Sequence, residues 1–272
     1  MASWLCPAHL RPAIAAIYWF ARTADDLADE GDAPADTRFD DLRAYRNDLQ
    51  ALARGQADSG RWRHVFAPLG RILRDFQLPV ALLLQLLDAF EQDIRFTGEQ
   101  RRYEDDAELL DYCSRSANPV GRLLLHLYGV DDTHSLAQSD QVCSALQLIN
   151  FWQDLSVDIA RGRWYPSLAS MRHHGVSEAD LRGQGQDAAA VRLVQAYCSA
   201  ARQLMLAGAP LATRLPGRIG WELRLVVQGG LRILDKIEAI HFESWRQRPT
   251  LAWHDVPLLL WRAWRMGRPK GT

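Results

Sequence analysis

Nearly the whole chain repeats its apolar residues every three or four positions, the period of an α-helix with one buried face. The pattern runs through "PAIAAIYWFARTADDLADE" (12–30), "DTRFDDLRAYRNDLQALARG" (36–55), "PVALLLQLLDAFEQDIRF" (79–96) and "DDAELLDYCSRSANPVGRLLLHLYG" (105–129). It continues in "HSLAQSDQVCSALQLINFWQDLSVDIARG" (134–162), "DAAAVRLVQAYCSAARQLMLAGAPLATRL" (187–215) and "WELRLVVQGGLRILDKIEAI" (221–240). Pro12 stands where a helix can begin, and Asp36 or Thr37 can cap the next one. Gly31, Gly55 and Gly162 mark stops. No alternating β-branched run lies between hairpin turns, and no repeat of fixed period occurs. "RGQGQDAAA" (182–190) has the composition of a linker but is too short to separate domains. The expectation is an all-α chain folded as a single domain over residues 1–272.

Two of these helices carry acid where the backbone disfavours it. A helix C-terminus has partial negative charge, so carboxylates there are destabilised. Yet Asp25, Asp26, Asp29 and Glu30 crowd before Gly31, with Asp32 just beyond. Tyr18, Arg22, Asp25 and Asp29 fall at offsets 0, 4, 7 and 11 and therefore share one narrow arc. Ile14, Ile17, Ala21 and Ala24 are left to pack. A second stripe, Asn150, Asp154, Asp158 and Arg161, has offsets 0, 4, 8 and 11 and also ends at a glycine, Gly162.

One such stripe alone reads most simply as a solvated face. Two, each beside arginine and aromatic residues and each in an apolar helix, point to a cationic partner. Hard divalent cations take oxygen ligands, and Mg²⁺ commonly bridges carboxylates to substrate phosphates. If the two helices face one another, their acids would hold Mg²⁺ across a cavity. Arg22, Arg161 and Arg163 would then meet the remaining diphosphate charge. An apolar cavity behind that mouth would suit a hydrocarbon tail.

A formal net charge of −1 argues against a general nucleic-acid binder. Cys6, Cys113, Cys143 and Cys198 form no metal-type pair and read as buried and inert. Without a recognisable secretory signal, a reducing cytoplasmic setting is the expectation. No apolar run approaches the roughly 20 residues of a membrane span. His64, His126, His173, His174 and His254 lack metal spacing and read as surface or packing residues. Trp253, Trp261 and Trp264 stand beside arginines in "LAWHDVPLLLWRAWRMGRPK" (251–270). A terminal helix packed on the domain is the simpler explanation; an amphipathic helix lying peripherally on the inner membrane face is the other.

At the two stripes the chain resembles the squalene/phytoene synthase family. "YWFARTADDLAD" is similar to its first aspartate motif and "NFWQDLSVDIARGRWYP" to its second. "DYCSRSANPVGRLLLHLYG" and "LPGRIGWELRLVVQGGLRILDKIE" extend the resemblance over essentially the whole chain. It implies the isoprenoid synthase fold, helices around a central cavity. It also implies that Asp25, Asp29 and Asp26 ligate Mg²⁺ in the first motif and Asn150, Asp154 and Asp158 in the second, with about two or three ions bound alongside the diphosphate. Tyr18 and Arg22 match positions that steady the diphosphate; Arg161, Arg163 and Tyr165 match the stretch beyond the second motif. Tyr112 and Tyr165 fit cavity lining and core packing equally well.

Within the family, "ARTADDLADEGD", "NFWQD" and "ELRLVVQGGLRIL" are worded like the hopanoid branch that makes hydroxysqualene. Gln153 stands where condensing members usually have arginine, and "RSANPVG", with Arg115, Asn118 and Pro119, replaces their usual middle-helix motif. These departures fit ionisation of presqualene diphosphate, cation rearrangement and capture by water, with Gln153 or Asn118 orienting the water. A packed or capping amide explains either residue at least as well. Water capture needs no hydride, so no nicotinamide cofactor is expected. Two alternatives stay open: head-to-head condensation giving presqualene diphosphate, dehydrosqualene or phytoene, and a non-catalytic scaffold. Implied partners are a presqualene diphosphate synthase upstream and a hydroxysqualene reductase downstream. Family members usually carry a further segment before "ASWLCP"; here that lid is expected to be shortened, with Ser3 as its remnant.

Overall fold

The computed structural model describes residues 6–31, 33–185 and 187–266. Its elements are α1 (Arg11–Asp29), α2 (Ala35–Ala53), α3 (Arg63–Asp75), α4 (Val80–Gly98), α5 (Asp106–Ser116), α6 (Asn118–Leu127) and α7 (Thr133–Gln153). They continue with α8 (Leu155–Ala160), α9 (Leu168–His174), α10 (Glu178–Leu181), α11 (Asp187–Gly208), α12 (Leu211–Arg214), α13 (Gly217–Ala239) and α14 (Val256–Met266). One 3₁₀ turn, Trp253–Asp255, precedes α14. No strand occurs among the described residues, as the helical period requires.

The predicted stops hold. α1, α2 and α8 end just before Gly31, Gly55 and Gly162, whose φ angles are +77°, +72° and +78°, values glycine adopts without steric cost. Three predicted helices are each broken in two. Pro119 has no N–H to offer the Arg115 carbonyl, so the 105–129 segment divides at Ala117 into α5 and α6. Pro210 likewise separates α11 from α12. The 134–162 segment breaks at Asp154, although Asp154 N–H still donates to the Asn150 carbonyl and Asp158 N–H to the Asp154 carbonyl, both at 2.9 Å. The stripe therefore keeps its register through a kink rather than along one straight helix. α3 lies outside the helical segments read from the sequence and carries Pro68 inside it. A Cβ on Gly70 would come within 2.8 Å of Leu52 Cδ1, so α3 packs closely on α2.

The chain divides into two compact units, one of residues up to Arg101 with Ser114–Leu136, the other of Arg102–Cys113 with the residues from Ala137 on. In the first, α1 packs against α2, α3, α4 and α6. Its core is aromatic: Tyr45 stacks on Phe20 with ring centres 5.2 Å apart and meets Phe66 at 4.7 Å, all three without solvent exposure. The buried Tyr45 hydroxyl donates to the Phe20 carbonyl at 3.1 Å. Tyr45 thereby fixes α2 on the middle of α1 while satisfying its own polar group.

In the second unit α13 packs on α11, α12 and α14. A Cβ on Gly230 would lie 2.9 Å from Met205, 3.2 Å from Leu146 and 3.3 Å from Ile149, so side chains of α7 and α11 pack closely on α13 there. Asp106 Oδ1 accepts from Ser167 Oγ (2.7 Å) and Tyr197 OH (3.4 Å), and its Oδ2 accepts from Ser170 Oγ (2.8 Å). Tyr197 OH in turn accepts the Ser167 N–H at 3.0 Å. One carboxylate thus ties α5, α9 and α11 together.

Candidate active site

α1 turns Ala13, Ala16, Ile17, Phe20, Ala24 and Ala28 into the core, with Ile14 and Ala21 half-buried beside them. The opposite arc presents Tyr18, Arg22 and the acids. Arg22 Nη1 donates to Asp25 Oδ2 at 3.0 Å; its Nη2 lies 2.5 Å from Asp26 Oδ1 and 3.5 Å from Glu30 Oε1. Burial acts to lower the pKa of Arg22, but Asp26, Asp25, Glu30 and Asp29 together raise it. Glu30 is therefore a fourth acid around this guanidinium. Tyr18 is exposed and meets Trp19 edge-on, ring centres 5.5 Å apart. Ser3 and Asp32 lie outside the described residues.

Asp25, Asp26 and Asp29 each offer one carboxylate oxygen, all within 4.8 Å of one another. The last turn of α1 contains no basic residue. Three carboxylates so close, at the negative end of a helix, create a concentrated negative potential. Their oxygens are the donors a hard divalent cation takes, so the residues present fit Mg²⁺.

The second motif is organised differently. Asn150 Nδ2 donates to Asp154 Oδ2 at 3.2 Å. Arg248, from the loop after α13, grips the same carboxylate with Nε on Oδ1 at 2.5 Å and Nη2 on Oδ2 at 3.1 Å. Gln153 Nε2 donates to the Pro249 carbonyl at 2.7 Å. Neighbouring residues of the motif thus hold neighbouring residues of one loop, and the Gln153 amide is engaged with backbone. Asp158 is held above the usual carboxylate range, at about 6; burial is the main cause and Asp154 adds to it, against Arg163, Arg161 and Arg248. Arg163 N–H closes the turn on the Asp158 carbonyl at 2.8 Å, while Arg161 lies past the end of α8 and is exposed.

Tyr165 stacks on Phe151, ring centres 3.6 Å apart, in an aromatic group that includes Tyr112 and Tyr103. Asn118 is buried in the first turn of α6, and Arg115 Nη2 donates to Gln92 Oε1 at 2.7 Å. Cys6, Cys113 and Cys198 are buried and Cys143 half-buried, and none is in a disulfide. Burial pushes the Cys113 and Cys198 thiols up to about 12, which leaves them unreactive. Arg248 is the functional candidate that the sequence hid. It sits 94 positions from Asp154, and no local motif marks it.

The sequence profile of the squalene/phytoene synthase family matches residues 1–257. A hydroxysqualene synthase of Rhodopseudomonas palustris is 30% identical over 240 residues, covering 88% of this chain and 78% of that protein. A presqualene diphosphate synthase of the same organism is 32% identical over 185 residues, covering 68% of this chain and 63% of its own length. Among solved structures, squalene synthase HpnC from Alicyclobacillus acidocaldarius superposes with a TM-score of 0.78 at 32% identity, covering 88% of this chain and 86% of that one.

Proposed function

We propose that this chain, which belongs to the squalene/phytoene synthase family, converts presqualene diphosphate and water to hydroxysqualene and diphosphate. The family makes it a prenyl-diphosphate-processing enzyme with the isoprenoid synthase fold. The finer reading rests on one observation: the likeness to hydroxysqualene synthase runs through 88% of the chain. Asp25, Asp26 and Asp29 would hold Mg²⁺ at the end of α1, and Asn150, Asp154 and Asp158 form the second acidic group. Bound Mg²⁺ supplies Lewis-acid neutralisation of the departing diphosphate.

The residues of the chain do the rest. Arg22, raised in pKa by its four acids, stays charged and available to diphosphate oxygens, as does Arg248. The carbon–oxygen bond to diphosphate breaks with both electrons leaving on oxygen. The cyclopropylcarbinyl cation rearranges, and water oxygen forms the new carbon–oxygen bond and releases a proton. No electrons are gained or lost overall, so the step has no use for a nicotinamide. Gln153, bonded to Pro249, acts as a positioning residue that sets the Arg248 loop against Asp154. A presqualene diphosphate synthase would supply the substrate and a hydroxysqualene reductase would consume the product.

The second reading, condensation of two prenyl diphosphates, is favoured by the 32% identity to a presqualene diphosphate synthase. One assay separates the two. Purified protein with Mg²⁺ is given presqualene diphosphate or farnesyl diphosphate, and the products are extracted and identified by mass. Alcohol formed from presqualene diphosphate supports the first reading; consumption of farnesyl diphosphate alone supports the second. Turnover of neither, with no Mg²⁺-dependent diphosphate binding, would point to a scaffold.

A further inference from the structure

Six of the eleven exposed large apolar side chains among the described residues lie within Leu251–Trp264: Leu251, Trp253, Val256, Leu260, Trp261 and Trp264. Trp253 is 85% exposed and Trp261 50%. On α14, Val256, Leu260, Trp261 and Trp264 occupy an arc of about 140°, while Ala263 is buried against the protein. α14 contains no acidic residue. Asp255, just before it, is 1% exposed and neutralised by Arg232 at 2.8 Å and Lys236 at 2.7 Å. Of the arginines on α14, Arg262 is bound to Asp235 at 2.7 Å, whereas Arg265 is exposed and stands 4.8 Å over the Trp261 ring.

We propose that this face of α14 docks on a lipid bilayer bearing anionic headgroups. Indole rings and an arginine with a long apolar stem are the side chains that settle at the acyl–headgroup boundary. Arg265, an exposed cation with no acidic partner among the described residues, complements negative lipid. No described helix is long and apolar enough to cross a membrane, so α14 lies on the surface rather than spanning it. A second copy of the chain fits less well. A two-fold contact through this face would bring Arg265 of both copies together with no acid on the face to meet them.

The full-length chain is to be sedimented with vesicles of phosphatidylcholine alone or with about one-third phosphatidylglycerol. Partition onto the anionic vesicles is expected, with indole emission shifted to the blue and quenched by brominated acyl chains. The triple variant Trp253→Ser, Trp261→Ser, Trp264→Ser should lower the partition coefficient at least tenfold. Arg265→Glu should weaken binding to anionic vesicles and leave binding to neutral ones unchanged. Absent binding, or binding undiminished by the triple variant, overturns the proposal. So does a dimer in sedimentation velocity that the triple variant abolishes while vesicles capture nothing. If the triple variant melts early, lipid quenching of the unaltered chain decides, and unquenched indoles overturn it.

Discussion

Asp29 is the last residue of α1, and its charge opposes the helix dipole and the neighbouring Asp25 and Asp26. Asp29→Asn should therefore leave folding stability unchanged or raise it by up to about 1 kcal/mol in EDTA. Turnover should fall roughly 10²–10³-fold, and Mg²⁺ binding by calorimetry should weaken by about tenfold or more. A loss of stability in EDTA would instead make Asp29 a structural residue. Asp158 allows a pH test. Its folded pKa of about 6 lies above the unfolded value, so the folded state binds more protons between those two pKa values. Stability is thus lost as pH rises from about 4 to 6, by at most about 3 kcal/mol. Asp158→Asn should flatten that slope in melting curves recorded in EDTA. Both acids were legible in the sequence, because spacing within one helix fixes which side chains share a face. Arg248 was not, since only the tertiary path of the loop after α13 brings it to Asp154.

Among the elements, the ends of helices were easier to read than the breaks within them. A stop needs only a glycine at positive φ, which the sequence marks at Gly31, Gly55 and Gly162. The break at Asp154 keeps its backbone bonds to Asn150 and Asp158 and so leaves the apolar period unbroken. The tie between α5, α9 and α11 was also invisible, because Asp106, Ser167 and Tyr197 belong to no common motif. Tyr197→Phe tests it: the ring can keep its stack on Trp152 at 4.0 Å, while the buried Ser167 N–H loses its acceptor. A loss of about 1–3 kcal/mol is expected from urea denaturation. Gln153→Leu tests the neighbouring loop. It should speed amide exchange around residue 248 and reduce turnover, with the regiochemistry of the alcohol unchanged, if Gln153 positions Arg248 rather than the attacking water.

At the scale of the molecule, stability and function pull in opposite directions at the acidic motifs. Acids at a helix end and a partly buried carboxylate at Asp158 each cost folding free energy in the empty protein. Ligand binding reverses the sign, because anything bound to the folded state alone stabilises it in proportion to RT ln(1 + [L]/Kd). Mg²⁺–diphosphate, taken as one ligand near a hundredfold its Kd, should contribute about 2.7 kcal/mol, which is roughly 5–10 °C for a chain of this size. Diphosphate in EDTA should give little, since its charge then meets the acids unscreened. Asp25→Asn and Asp154→Asn should each diminish the shift in a thermal melt without lowering the melting temperature of the empty protein by a comparable amount. Arg248→Ala should diminish it too, and should also free Asp154 from its bidentate partner. A full shift retained in all three variants would place diphosphate elsewhere on the molecule and remove the physical reason for acid at the end of α1.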